Sequence, residues 1–200
     1  MVIAVEDRSA PLLELLWIRE AYALHPRGDD LPPLLSDTPR RDPLDQPPAA
    51  PTLQEWENAW PLLWVAALQH AGRESDPALH ERLRRTASGS RERLDALQEI
   101  VGPTWRDQFG PDALDHPSHR DWDQANFEAK IASRRASLED SPLRRDVDAV
   151  VRAWRAGMTK IVTIPCRGEH TRRVGHNALM ITEATMASRD AFRHALETFG

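Results

Sequence analysis

Trp56, Trp60 and Trp64 recur every four residues, and Leu53, Leu63, Ala67 and Leu68 continue the stripe. That spacing brings side chains onto one helical face and predicts a wide aromatic ridge. Thr52 and Glu55 make a capping-box pattern at its start, Pro61 predicts a kink, and Gly72 is a natural stop. Upstream, Leu12, Leu13, Leu15, Leu16, Trp17 and Ile18 make a helix over about 10–24 apolar around most of its circumference. Ser9 is its expected N-cap, with Pro11 in its first turn. A helix of that kind is buried on several sides or docks into a groove.

Between these two helices, the segment from Pro26 to Pro51 carries eight prolines among Asp, Arg and Gln. It is too proline-dense for a helix and too polar for a core strand, so it predicts an extended connector that wraps the surface. Leu31, Leu34, Leu35 and Leu44 are the residues expected to pin it.

Downstream, Asp76-Pro77 opens a helix with Leu79 and Leu83 inward and Glu81 paired to Arg85. Ser90 opens another, with Leu94, Leu97 and Val101 on one face. Residues 103–118 look irregular, anchored by Trp105 and Phe109. A long helix over about 119–138 carries a stripe of Trp122, Ala125, Ala129 and Ala132. Ser141-Pro142 then starts the most regular pattern in the chain, Leu143, Val147, Val150, Val151 and Trp154, which ends at Gly157.

Beyond Gly157 the period changes. Lys160–Pro165 and Asn177–Thr182 are short, apolar or β-branched, and bounded by turn residues, so both predict strands. Ser188 caps a last helix with Phe192, Ala195, Leu196 and Phe199 inward. The fold class that follows is mainly α: a single multi-helix domain with a small C-terminal β-β-α element (α+β). Residues 1–157 would form the helical part, including the connector at 26–51, with residues 158–200 packed on it. A two-stranded sheet alone is marginal in water, so the tail must pack on the helices or pair with another chain.

Composition narrows the function classes. Net charge is −5, which argues against nucleic acid or an anionic membrane as partner of the whole chain. The longest uncharged run, Asn58 to Gly72, is shorter than the ~20 apolar residues of a membrane span. Cys166 is the sole cysteine, so no intramolecular disulfide can form. The first ten residues, with Glu6 and Asp7, lack the layout of a signal peptide, and a cytoplasmic protein is the expectation. Nearly all positive charge is arginine, as in proteins of GC-rich bacteria, which assigns no function.

The best candidate for chemistry is the connection between the two C-terminal strands. Arg167, Arg172 and Arg173 stand there against Glu169, and with Gly168 and Gly175 they suit recognition of a carboxylate or phosphate on a small anionic molecule. His170 and His176 complete that binding set. Cys166, Glu169, His170 and His176 are also zinc-ligand types, although their spacing fits no structural zinc module. No cofactor is expected, and zinc or another divalent metal is the one exception these residues leave room for. Asp112, Asp115, His116, His119, Asp121 and Asp123 are dense, and helix-start preference explains most of them. No phosphate loop, nucleophile elbow or zinc-protease helix occurs.

The leading expectation is therefore a non-enzymatic interaction or regulatory protein. It would bind another protein, or itself, through a Trp-rich helical face (Trp56, Trp60, Trp64) or through a strand edge. The alternative is an enzyme or anionic-ligand binder using the basic loop 166–176, with metal assistance.

Overall fold

The computed structural model describes residues 2–39, 48–136 and 141–199, excluding the side chains of 133–136. It is mainly helical, with one four-stranded sheet. Strand β1 (Ala4–Glu6) leads directly into α1 (Ala10–Ala21), and α2 (Ala50–Ala71) is the tryptophan helix. Then come α3 (Pro77–Arg85), α4 (Arg91–Val101), α5 (Trp105–Phe109), α6 (Pro117–Ala136), α7 (Pro142–Arg145) and α8 (Val147–Arg155). The C-terminal part contains β2 (Lys160–Ile164), β3 (Thr171–Val174), β4 (Ala178–Thr182), α9 (Glu183–Ala187) and α10 (Arg189–Glu197).

The sheet order is β1-β2-β4-β3, with β1, β2 and β4 parallel and β3 antiparallel to β4. Both expected strands form, and two more join them. One is β3, which lies inside the expected loop. The other is β1, whose Ala4 and Glu6 align with Lys160 and Val162, so the N-terminal and C-terminal segments share one sheet.

Successive side chains of a strand point to opposite faces. Val162, Ile164, Ala178 and Met180 turn toward α1 and α2, while Ile161, Leu179 and Ile181 turn toward α8 and α10. Burial on both faces explains why the central strands are near-continuous apolar runs.

The tryptophan ridge is core. Trp56, Trp60 and Trp64 are 8%, 0% and 1% exposed, so in this fold none of them offers a face to a partner. Trp60 Nε1 donates to the Leu15 carbonyl of α1 at 2.8 Å, and the Trp60 and Trp64 rings stack at 5.4 Å. Trp56 meets Trp105 edge-on at 5.0 Å and Tyr22 at 5.0 Å, which draws α5 and the end of α1 into the same cluster. Helix α2 begins at Ala50, so Thr52 lies within it and caps nothing, and Pro61 sits inside one continuous helical element. Pro51 in the first turn displaced the expected capping box, its fixed φ suiting that position.

The connector wraps as expected over 26–39. Ser36 N–H donates to the Pro165 carbonyl at 2.9 Å, Arg167 N–H to the Leu34 carbonyl at 2.7 Å, and Leu35 bridges Cys166. Leu35 is buried, Leu31 partly so, and Leu34 faces solvent. Leu44 lies outside the described residues. Beneath the strap, the buried Arg19 donates to the Pro32 carbonyl at 2.7 Å and lies over the Trp60 ring.

Three apolar stripes turn out differently. The expected helix over 141–157 breaks at Asp146, whose fully buried carboxylate accepts from Arg145, Arg189 and Arg193 at 2.8, 3.2 and 3.3 Å. These pairs fix the helix orientation, so Ala149, Val150 and Ala153 face inward while Val147 and Trp154 remain exposed. In α6, Ala125, Ala129 and Ala132 are exposed. That helix is held instead by Arg8–Asp123 at 2.7 Å, Lys130–Glu183 at 2.6 Å and the half-buried Trp122. In α4, Leu94, Leu97 and Val101 are exposed and Ala96 is the buried residue, because α3 and α4 pack chiefly on each other.

Replacing Trp60 by Phe removes the bond to Leu15 and part of a fully buried ring. A loss of about 2–3 kcal/mol is expected in urea denaturation. A loss below about 0.5 kcal/mol would show that the ridge is not a structural anchor.

Candidate interaction surface beside the edge strand

The arginines of the basic loop each engage another part of the chain. Arg167 Nε donates to the Leu35 carbonyl at 2.8 Å and holds the strap. Arg172 reaches Asp30, donating to its carbonyl at 2.9 Å and pairing with its carboxylate at 3.3 Å. Arg173 lies 4.3 Å over the Phe199 ring. Arg167 and Arg172 thus both hold the strap while Arg173 covers Phe199, and each guanidinium has a structural partner. The cause is β3, which alternates its side chains between faces where a loop was expected.

The metal-ligand types are equally dispersed. Cys166 is buried, Glu169 and His176 are exposed, and His170 is half-buried. Burial pushes the Cys166 thiol up to about 12, with Arg19 opposing. Burial, and then the charge of Arg172, lowers the His170 imidazole below its ordinary value. Its main chain is fixed by the hydroxyls of Thr182 and Thr185, and its Nε2 is buried with no partner among the described residues. Among the described residues, no group of three or more His, Cys, Asp or Glu is placed to hold a metal ion.

The acidic segment before α6 supplies tie points. Asp115 pairs with Arg106 at 3.3 Å, Asp123 pairs with Arg8, and His119 packs edge-on against Trp17 at 4.8 Å. Burial lowers the His119 imidazole, with the nearby Asp123 opposing.

A surface with open valences occurs elsewhere, along β1. This strand is one of the two outer members of the sheet, with β3 at the other edge. Ala4 N–H donates to the Thr159 carbonyl at 2.9 Å, so alternation turns the amide groups of Ile3 and Val5 outward. No main-chain partner meets them among the described residues. Such an edge is a template for another strand.

Beside it lies a cleft of about 480 Å³, bounded by Glu6, Arg8, the start of α1, the end of α2, and Leu79 and Val101 of the α3–α4 hairpin. The hairpin is tied to α2 by a tight contact. Gly102, at φ +81°, presses on His70 of α2 so closely that a Cβ would stand 2.4 Å from the ring. His70 Nε2 also bonds to the Glu99 carbonyl at 3.0 Å. Lys160 lies on the cleft floor, its Nζ 3.0 Å from the Arg73 carbonyl and 3.9 Å from Glu6. Glu6 shares a sheet face with Val162, so the cleft lies on the α1–α2 side.

Sequence reasoning missed Glu6, Arg73 and Lys160, which belong to three separated segments. The available signal was Val2-Ile3-Ala4-Val5, a short β-prone run ended by charges. His176, with Val174 and Gly175 of the same loop, lines a smaller cleft of about 360 Å³ shared with Arg73.

No protein-family model matches this chain, and neither a curated protein nor a solved structure matches it.

The buried Cys166 makes a direct check on the loop. In the native protein at about pH 8, it should resist a thiol-titrating disulfide reagent. Denaturation in guanidinium should release one reactive thiol. Rapid native reaction would mean that the strap does not cover it.

Proposed function

We propose that this chain is a non-enzymatic interaction module that receives an extended segment of another protein along the free edge of β1. The carrying observation is the outward main chain of Ile3 and Val5 beside an open cleft. Strand addition draws affinity from main-chain hydrogen bonds and specificity from pockets for alternate side chains, and the cleft supplies such a pocket. The tryptophans are committed to the core, and the two strands expected from sequence are paired on both sides, so the edge that carries this reading is that of β1, a strand not expected from sequence. The arginines of the basic loop hold the strap, Asp30 and Phe199, which weakens the case for a small anionic ligand there. No helix among the described residues is long and apolar enough to cross a membrane. A cytoplasmic setting, where the single thiol stays reduced, is part of the proposal.

The test is photocrosslinking from Ala4 in the source cells, with exposed Gln54 of α2 as control position. One defined adduct is expected from Ala4 and not from Gln54. It should be lost when Val5→Pro removes an outward donor while sparing the β1–β2 ladder. An adduct to a second copy of the chain would identify self-association as the use of the edge. Equal labelling from both positions, or an adduct indifferent to Val5→Pro, would contradict the proposal.

A further inference from the structure

The connector between α1 and α2 is far longer than the gap it spans. His25 N–H donates to the Glu57 carboxylate at 2.8 Å, so the chain leaving α1 already stands beside α2, about two turns from the first residue of that helix. About five extended residues would close a distance of about 10–15 Å. The chain instead runs on to Ala49, and on the way residues 31–36 dock against the last turn of α1 and the chain that follows β2. Such slack lets these residues leave without pulling on the α1–α2 contact.

Their docking is that of a bound peptide, because main-chain groups make the polar contacts. Arg19 donates to the Pro32 and Pro33 carbonyls at 2.7 and 2.5 Å, and Glu20 accepts from Leu35 N–H. Arg167 donates its own N–H to the Leu34 carbonyl at 2.7 Å and its Nε to the Leu35 carbonyl at 2.8 Å. The Pro165 carbonyl accepts from Ser36 N–H at 2.9 Å. Among residues 31–36, Pro32 and Leu35 are the buried positions, while Leu34 between them is 51% exposed. A spacing of three is the period of a polyproline helix, whose positions i and i+3 share a face.

The receiving side is held in place by the helices themselves. Arg19, 5% exposed, lies over the Trp60 ring at 5.3 Å and pairs with Glu20 at 3.5 Å. A buried charge carries a desolvation cost that a purely apolar support for the strap would avoid. Donors aimed at proline carbonyls beside an aromatic ring, with room for two side chains three residues apart, are the equipment of a groove that reads proline-rich segments.

We propose that the last turn of α1 and residues 165–167 form a recognition groove for an extended Pro-x-x-Leu segment. Residues 31–36 occupy it in cis, and a segment of the same chemistry from another protein takes their place when the strap lifts. This groove is separate from the edge of β1, and the two readings stand or fall independently.

The test uses Leu35→Asp in the full chain, which forbids burial of the anchor, and a labelled, end-blocked peptide Leu-Pro-Pro-Leu-Leu-Ser read by fluorescence anisotropy. The variant should bind the peptide. The unaltered chain should bind it at least about tenfold more weakly, because its own strap competes at high effective concentration. Cys166 is buried and paired with Leu35, so its thiol reports on the same groove. It should react in the variant and be protected again by the peptide. A peptide with Asp in place of its last leucine should neither bind nor protect. If circular dichroism shows Leu35→Asp unfolded, Ser36→Pro at an exposed position loosens the strap instead, with the same readouts. A reactive thiol without peptide binding, a thiol that stays protected in the folded variant, or equal binding by variant and unaltered chain would each overturn the proposal.

Discussion

The indole of Trp60, fully buried and bonded to the Leu15 carbonyl, is the contact on which the arrangement of the chain depends. It fixes α2 against α1 at the centre of the aromatic cluster. Trp56, Tyr22 and Trp105 continue the cluster toward α5, and Trp17 and His119 toward α6. Aromatic pairs in edge-on geometry contribute beyond the area they bury, and they constrain orientation as well as distance. Because α1 follows β1 after only a short turn, holding α1 on the cluster also sets where β1 enters the sheet.

That placement leaves β1 exposed as an edge. The helices that cover the sheet do so through Val162, Ile164 and Met180 on one face and Ile161, Leu179 and Ile181 on the other. Leu79 and Val101 of the α3–α4 hairpin line a cleft with Glu6 of β1, and the contact between Gly102 and His70 ties the end of α4 to α2. The cleft is floored by Lys160 and bordered by Arg73. The chain just beyond the C-terminal end of β2 is covered instead. There the proline strap pairs with residues 165–167, and Arg19, Glu20 and Arg167 fasten it from both sides.

Legibility from sequence followed burial symmetry. The tryptophan helix, β2, β4 and α10 were plain because one periodicity dominated each segment. Where apolar periodicity competed with charge pairing, the charges won: Asp146 reset the face of α8, and Asp123 and Lys130 set the face of α6. β3 was hidden because Thr171, Arg172 and Arg173 have little hydrophobic pattern, and β1 because three residues carry almost none. The site was the least legible part. Residues of types associated with binding are crowded into 166–176, yet the partners of their arginines lie on the strap and at Phe199, just past α10. Glu6 and Lys160, by contrast, come together only through the parallel pairing of β1 with β2, and Arg73 joins them through its carbonyl's bond to Lys160.

The central claim is that the aromatic core holds β1 in the sheet with one side open. Residue-resolved amide hydrogen exchange tests it within adjacent residues. The Glu6 amide, facing β2, should exchange orders of magnitude more slowly than the Val5 amide, which faces outward, and amides around Trp60 and Trp64 should be among the slowest. A Val5 amide as protected as that of Glu6 would mean that the edge is already occupied, and the account would fail.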